Sequence, residues 1–217
     1  IGHQALYTFN PSSNEDSYNV AVGHNALHDA TTGNNNTAVG GRSLENNTTG
    51  EKNTATGSES LQANTTGSSN TAVGYVCMED NTTASYNCGL GNAALRDNTT
   101  GDSNVAIGFQ ALLVNTTGAN NVAVGRSALD TNTTGSGNTA IGKGAAGANT
   151  TASNNVSIGF QAMNATTTGG SNVGIGYQSL LANTTAVHNV GVGASTLAAN
   201  TTGHSNAALG ANALAAK

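Results

Sequence analysis

The chain has 217 residues, only 8% of them charged, with a formal net charge of −5 and a pI near 5.3. Hydrophobic residues make up 36%, with no Trp, one Pro and three Phe, too few large apolar side chains for the thick single core a globular domain of this length builds. Six Lys and Arg without a cluster give no electrostatic footprint for nucleic acid, two cysteines make no disulfide framework, and no apolar run is long enough to insert into a membrane.

Residues 1–18 form an irregular opening. Gly2-His3-Gln4-Ala5-Leu6 returns as Gly23-His24-Asn25-Ala26-Leu27, four positions later than the spacing downstream would place it. The surplus lies between Tyr7 and Tyr18, around Pro11 and Glu15-Asp16, and reads as a longer loop on a first coil. From residue 19 to 217 the array is regular. An Asn followed four positions later by Gly recurs with a 17-residue period and without a slip. The asparagines are Asn19, Asn36, Asn53, Asn70, Asn87, Asn104, Asn121, Asn138, Asn155, Asn172, Asn189 and Asn206. With this Asn as position 1, the consensus is N-[TV]-A-[VI]-G-x-x-[AS]-L-x-x-N-T-T-G-x-x. The array opens at position 4 (Ile1) and closes at position 12 (Lys217), as expected of a segment of a longer fibrous protein.

Within each unit, positions 2 to 4, as in Val105-Ala106-Ile107, predict a short strand bounded by the turn formers Asn and Gly. The Gly at position 5 fits a turn with positive φ or a close backbone approach. A second extended segment is expected at positions 12 to 14, the Asn-Thr-Thr tract, which Gly follows in eight of eleven coils and Ala in three (Ala84, Ala152, Ala186). The density of Gly, Asn and Thr disfavours helices. The expected fold is therefore all-β, a parallel β-solenoid or β-roll of 17-residue coils. Coils stacked about 4.8 Å apart make a rod on the order of 60 Å long. Stacking sets each position-1 Asn over the next, where side-chain amides can hydrogen-bond up the column.

Alternation puts positions 2 and 4 on one face of the strand and position 3 on the other. Position 3 is small (Ala21, Ala38, Gly89, Ala106, Ser157, Gly174), as is position 8, and position 9 is mostly Leu. Small residues inward suit a flat, narrow roll, with the larger apolar row pointing out. The outward set at position 4 is Val22, Val39, Val73, Ile107, Val124, Ile141, Ile158, Ile175 and Val192. A monomer rarely exposes such a stripe. Burying it, at about 25 cal/mol per Å², contributes tens of kcal/mol gross over the array, which favours parallel self-association about the rod axis, most simply as a homotrimer. The opposite arrangement, a monomeric solenoid with Val and Ile inside and Ala outside, is the alternative.

The unit Asn104-Val105-Ala106-Ile107-Gly108, with Asn121 to Gly125 and Asn155 to Gly159, resembles the head repeats of YadA-like trimeric autotransporter adhesins. The longer unit Asn36-Thr37-Ala38-Val39-Gly40 through Asn47-Thr48-Thr49-Gly50 is similar to repeats of bacteriophage tail-fibre proteins and large bacterial surface proteins. The resemblance implies left-handed parallel β-rolls associated as trimers, exposed outside a cell or on a virion, with attachment as their role. The period is longer than in the adhesin heads, and neither a membrane anchor nor a chaperone domain accompanies the repeats here.

No catalytic constellation emerges, so no enzyme, cofactor or metal is expected. His3, His24, His28, His188 and His204 form no ladder, and the acidic residues are scattered. Cys77 and Cys88 read as buried small apolar residues. Gly174-Ile175-Gly176 lacks the strand–helix context of a phosphate loop. Nine Asn-Thr-Thr triplets, starting at Asn47, Asn64, Asn81, Asn98, Asn115, Asn132, Asn149, Asn183 and Asn200, are formal glycosylation sequons, but the simpler reading is that they build the turn and strand ladder. Regular Thr rows raise ice binding as a lesser alternative, although adjacent Thr residues on a strand point to opposite faces. Position 6 carries Tyr75, Phe109, Phe160 and Tyr177 beside His24, Arg126 and Lys143, where rings suit stacking on sugars or packing across the adjacent turn. The expected role is thus a structural and adhesive fibre segment whose partners are further copies of itself and a cell-surface glycan or receptor, with a self-assembling extracellular filament as the alternative.

Overall fold

A computed structural model describes residues 1–9 and 17–215. The expected loop around Pro11, with Glu15 and Asp16, falls on residues 10–16, outside the described residues. Twelve three-residue strands recur at the 17-residue spacing: β1 (Val20–Val22), β2 (Thr37–Val39), β3 (Thr54–Thr56), β4 (Thr71–Val73), β5 (Cys88–Leu90), β6 (Val105–Ile107), β7 (Val122–Val124), β8 (Thr139–Ile141), β9 (Val156–Ile158), β10 (Val173–Ile175), β11 (Val190–Val192) and β12 (Ala207–Leu209). They form one parallel sheet in chain order, each residue pairing with its equivalent in the next coil: Val20 with Thr37, Ala21 with Ala38, Val22 with Val39. No helix occurs among the described residues. The fold is an all-β parallel solenoid. The irregular opening joins the same stack, with Gly23 N–H donating to the Ile1 carbonyl at 2.8 Å and Leu6 N–H to the Ala26 carbonyl at 3.0 Å.

The strand faces settle the choice between the two packings. Position 3 is buried in every strand, and positions 2 and 4 are half-buried or exposed. The arrangement with Val and Ile inside is therefore overturned: the slab between strand and turn is too thin for them. Its filling is the Ala column of position 3 laid on the Leu column of position 9, with Leu27, Leu44, Leu61, Leu95, Leu112 and Leu129 fully buried. Shape is matched coil by coil. The two methionines that replace Leu, Met78 and Met163, each lie under a glycine rather than an alanine. A Cβ on Gly89 would come within 3.1 Å of Met78 Cε, and one on Gly174 within 2.7 Å of Met163 Cγ. The apolar column thins once, where position 9 holds Ala146 and position 3 holds Ser157, whose hydroxyl donates to the Ala162 carbonyl at 2.6 Å.

The second half of the coil departs from expectation. Positions 12 to 14 form a bend, not a strand. Thr48 N–H and Thr49 N–H both donate to the Thr65 carbonyl, at 2.9 and 3.2 Å, and Thr48 Oγ1 adds a third bond at 3.0 Å. Three donors converging on one carbonyl curl the chain instead of extending it. Positions 7, 9 and 17 adopt left-handed φ without glycine in most coils, as at Arg42 (60°), Leu44 (51°) and Lys52 (58°). Each such residue costs about 1–2 kcal/mol. The reversal sends backbone groups to both neighbours: Arg42 N–H donates back to His24 (2.8 Å), and Leu44 N–H forward to Ser60 (3.0 Å). The stack thus offsets strain that a lone coil would not sustain.

Two asparagine columns, not one, bind the coils. In the position-1 column, Asn36 N–H donates to Asn19 Oδ1 at 2.8 Å, and the relation repeats through Asn206 N–H and Asn189 Oδ1 at 2.9 Å. The matching Nδ2 crosses its own coil to the position-15 carbonyl, as from Asn36 to Gly50 at 2.8 Å. These side chains chiefly cap backbone groups; amide-to-amide contacts are the longer ones, such as Asn70 Nδ2 to Asn53 Oδ1 at 3.2 Å. From residue 47 to residue 149 an unbroken amide ladder runs instead along position 12. Each Nδ2 donates to the preceding Oδ1 from Asn64 on Asn47 (2.7 Å) to Asn149 on Asn132 (2.7 Å). The position-5 glycines hold the corner. Gly108 has φ +130°, and a Cβ there would sit 2.8 Å from the Gly125 carbonyl.

Candidate interaction surface

The sheet presents positions 2 and 4 outward as two parallel rows, one residue per coil in each. Alternation about the small inward residue aims them, and the parallel register aligns them. Val22, Val39, Ile107 and Ile141 are exposed, with Ile141 at 39%. Val73, Val124, Ile158, Ile175 and Val192 are half-buried in the same row. The structure therefore collects all nine position-4 residues singled out by sequence on one face. The row also takes in Leu90 and Leu209 and is interrupted once, by Thr56. The companion row at position 2 mixes Val20, Val105, Val122, Val156, Val173 and Val190 with threonines and Cys88. No charged residue occupies positions 2 to 4 in any coil.

Among the described residues the charged side chains lie outside the strands. Arg42 pairs with Glu45 at 2.9 Å and Glu59 at 3.4 Å, and Arg96 pairs with its neighbour Asp97. Burial alone would raise the Glu45 carboxyl, but hydrogen bonds from Asn25, Gln62 and Arg42 hold it below the usual carboxylate range. Burial, with Asp80 beside it, pushes Glu79 up, and burial likewise raises Asp130.

Cys77 is fully buried, as expected, and burial pushes its thiol up to about 12. Cys88 departs from expectation: it stands half-exposed on the outward row, because position 2 faces out. Three of the five histidines use their rings for stacking. His3 lies on His24, with centroids 5.4 Å apart, and Tyr7 on His28 at the same distance. No group of three or more potential metal ligands occurs among the described residues, and no helix among them is long and apolar enough to cross a membrane. The sequon asparagines from Asn47 to Asn183 have no exposed surface. The second threonine of each tract is exposed at position 14, while the first spends its hydroxyl on the next coil's carbonyl.

Sequence reading assigned the position-12 asparagines to the turn and strand ladder and missed their side-chain amide column. Asn recurs there nearly as regularly as at position 1, and that regularity marks a buried polar column. The apolar outward face, flanked by charged turns, can associate with another apolar face. No family model, no curated protein and no solved structure matches this chain.

Proposed function

We propose that this chain is a structural and adhesive segment of a trimeric fibre, exposed on a cell surface or virion, acting as a rigid spacer and attachment element without enzymatic activity. One observation carries the reading: the outward Val, Ile and Leu row runs the length of the sheet without a charge. Eleven steps of about 4.8 Å and a three-residue strand of about 10 Å give a face of roughly 500 Å² in projection. That is at the upper end of the largest apolar patch a monomer carries. A parallel, in-register trimer repeats one contact at every level, since the row repeats with the coil. The resemblance to trimeric adhesin heads supports the same arrangement.

Sedimentation analysis tests it. The protein should run at three times the 21.3 kDa chain, and Val124→Asp combined with Ile141→Asp should convert it to a folded single chain. A wild-type protein that sediments as one chain removes the trimer. Electron micrographs showing fibres of indefinite length, in place of discrete rods, would move the reading to a self-assembling filament.

A further inference from the structure

We propose that the position-6 column of five consecutive coils, Phe109, Arg126, Lys143, Phe160 and Tyr177, is a binding strip for an extended acidic polysaccharide. The proposal goes beyond the fibre reading, because it follows from the stack within one chain and holds for a single chain as for a trimer. Position 6 directly follows the glycine corner, and all five side chains are exposed. Burial therefore does not account for rings and cations there. The neighbouring coils carry Asn92 and Ala194 at this position.

The column is ordered by its own contacts. The Arg126 guanidinium lies 5.6 Å from the Phe109 ring centre, the Lys143 ammonium 5.7 Å from that of Phe160, and Phe160 stacks on Tyr177 at 5.5 Å and 8°. Among the described residues neither cation makes an ion pair, unlike Arg42 and Arg96. Asp130 is the single carboxylate side chain after residue 102 in the sequence. Two unneutralised charges thus face solvent on the least acidic part of a negative chain, which is complementary to an anion. An open cleft of about 340 Å³ between Phe109 and Arg126 adds a recess. Glutamine follows each ring, at Gln110, Gln161 and Gln178, and Gln178 donates to Gln161 at 3.1 Å.

These groups suit a sugar acid polymer lying along the column: cations for carboxylates, the outward ring edges for apolar contact with sugar C–H groups, and amides for hydroxyls. The strip spans about 19 Å over four coil steps, so the ligand is a chain and not a single sugar. Nucleic acid fits less well. Two cations over that length are sparse against its charge density. A ring separation of 5.5 Å is also too narrow for an inserted base, which needs about 6.8 Å, two stacking steps.

Biolayer interferometry on immobilised polygalacturonate tests the proposal, with dextran as the neutral polysaccharide and oligothymidylate as the nucleic-acid polyanion. The wild type should bind polygalacturonate, less tightly as salt rises, and not dextran. Arg126→Gln with Lys143→Gln should weaken binding about tenfold or more without changing melting temperature or sedimenting mass. Phe160→Ala should weaken it as well, while Arg96→Gln, which lies off the strip, should not. Equal binding to dextran, tighter binding to oligothymidylate, or full binding by the double variant would overturn it. So would a double variant of altered mass, since the strip would then be a contact between copies.

Discussion

The position-12 ladder breaks at Thr166 and again between Asn183 and Asn200, and the first break can be repaired. Asn149 Oδ1 is buried with no hydrogen-bond partner, because the next coil offers Thr166 where every neighbouring coil offers Asn. On the far side, Asn183 Nδ2 reaches Thr166 Oγ1 only at 3.5 Å. Thr166 is itself fully buried. In Thr166→Asn, the new Nδ2 donates to Asn149 Oδ1 and the new Oδ1 accepts from Asn183, copying the 2.7 Å bonds further down. Relieving a buried orphan acceptor is worth about 1–3 kcal/mol, and a neutral hydrogen bond about 0.5–1.5 kcal/mol. Allowing for side-chain ordering, the gain should be about 2 kcal/mol, close to 30-fold in an equilibrium. Solenoid stability is nearly a sum of neighbour-to-neighbour terms, so the gain should be local. Hydrogen exchange resolved by peptide is the assay: amides of residues 149–183 should open about 30-fold less often, with those of residues 36–70 unchanged. The reverse change, Asn98→Thr, should cost a similar amount around residue 98. Exchange left unchanged or accelerated near residue 166 by Thr166→Asn would refute the assignment of the ladder as a stabilising column.

The two glycine columns should respond differently. Gly108→Ala places a Cβ at positive φ, 2.8 Å from a backbone carbonyl, and should cost more than about 3 kcal/mol. Gly118→Ala should cost less: its Cβ would also crowd the Gly135 carbonyl, but φ there is not in the left-handed region, and Ala84, Ala152 and Ala186 in the same column show that the bend shifts to admit a methyl; equal losses in denaturant melts would contradict this. Cys77 should make stability fall as pH rises. Above the ordinary thiol value of 9.0 the unfolded chain loses a proton that the folded chain keeps up to about 12, so Cys77→Ala should abolish a decline in melting temperature that wild type shows over that window. Folded protein should also resist oligosaccharyltransferase at all nine Asn-Thr-Thr sequons, since Asn47 to Asn183 are fully buried and Asn200 is 5% exposed; a glycan found by mass spectrometry on Asn98 in folded protein would contradict the burial.

The parts of the fold that sequence revealed are those set by local rules. Alternation along Val105-Ala106-Ile107 predicts which side chains face inward, and Asn-to-Gly spacing alone gives coil length and register. The position-12 ladder was not legible, because its partners lie a full coil apart along the chain and depend on how the bend aims each side chain. The Thr pair at positions 13 and 14 looked like a strand because threonine favours strands; convergence of three donors on one carbonyl is a tertiary effect that overrides that preference. Leu at positive φ, as at Leu44 and Leu112, runs against residue preference and becomes tenable only when coils above and below hold it. The outward face was foreseen, yet Cys88 was misplaced because its small apolar character outweighed its position in the alternation.

Every strand pairs only with the strand one coil before and one coil after. Length is therefore a free variable of this architecture. Duplicating or excising one whole repeat lengthens or shortens the rod by a single rise and returns each remaining side chain to an equivalent partner. In-frame recombination between such blocks can set the reach of the molecule in fixed increments, like notches on a ruler, without redesigning any junction.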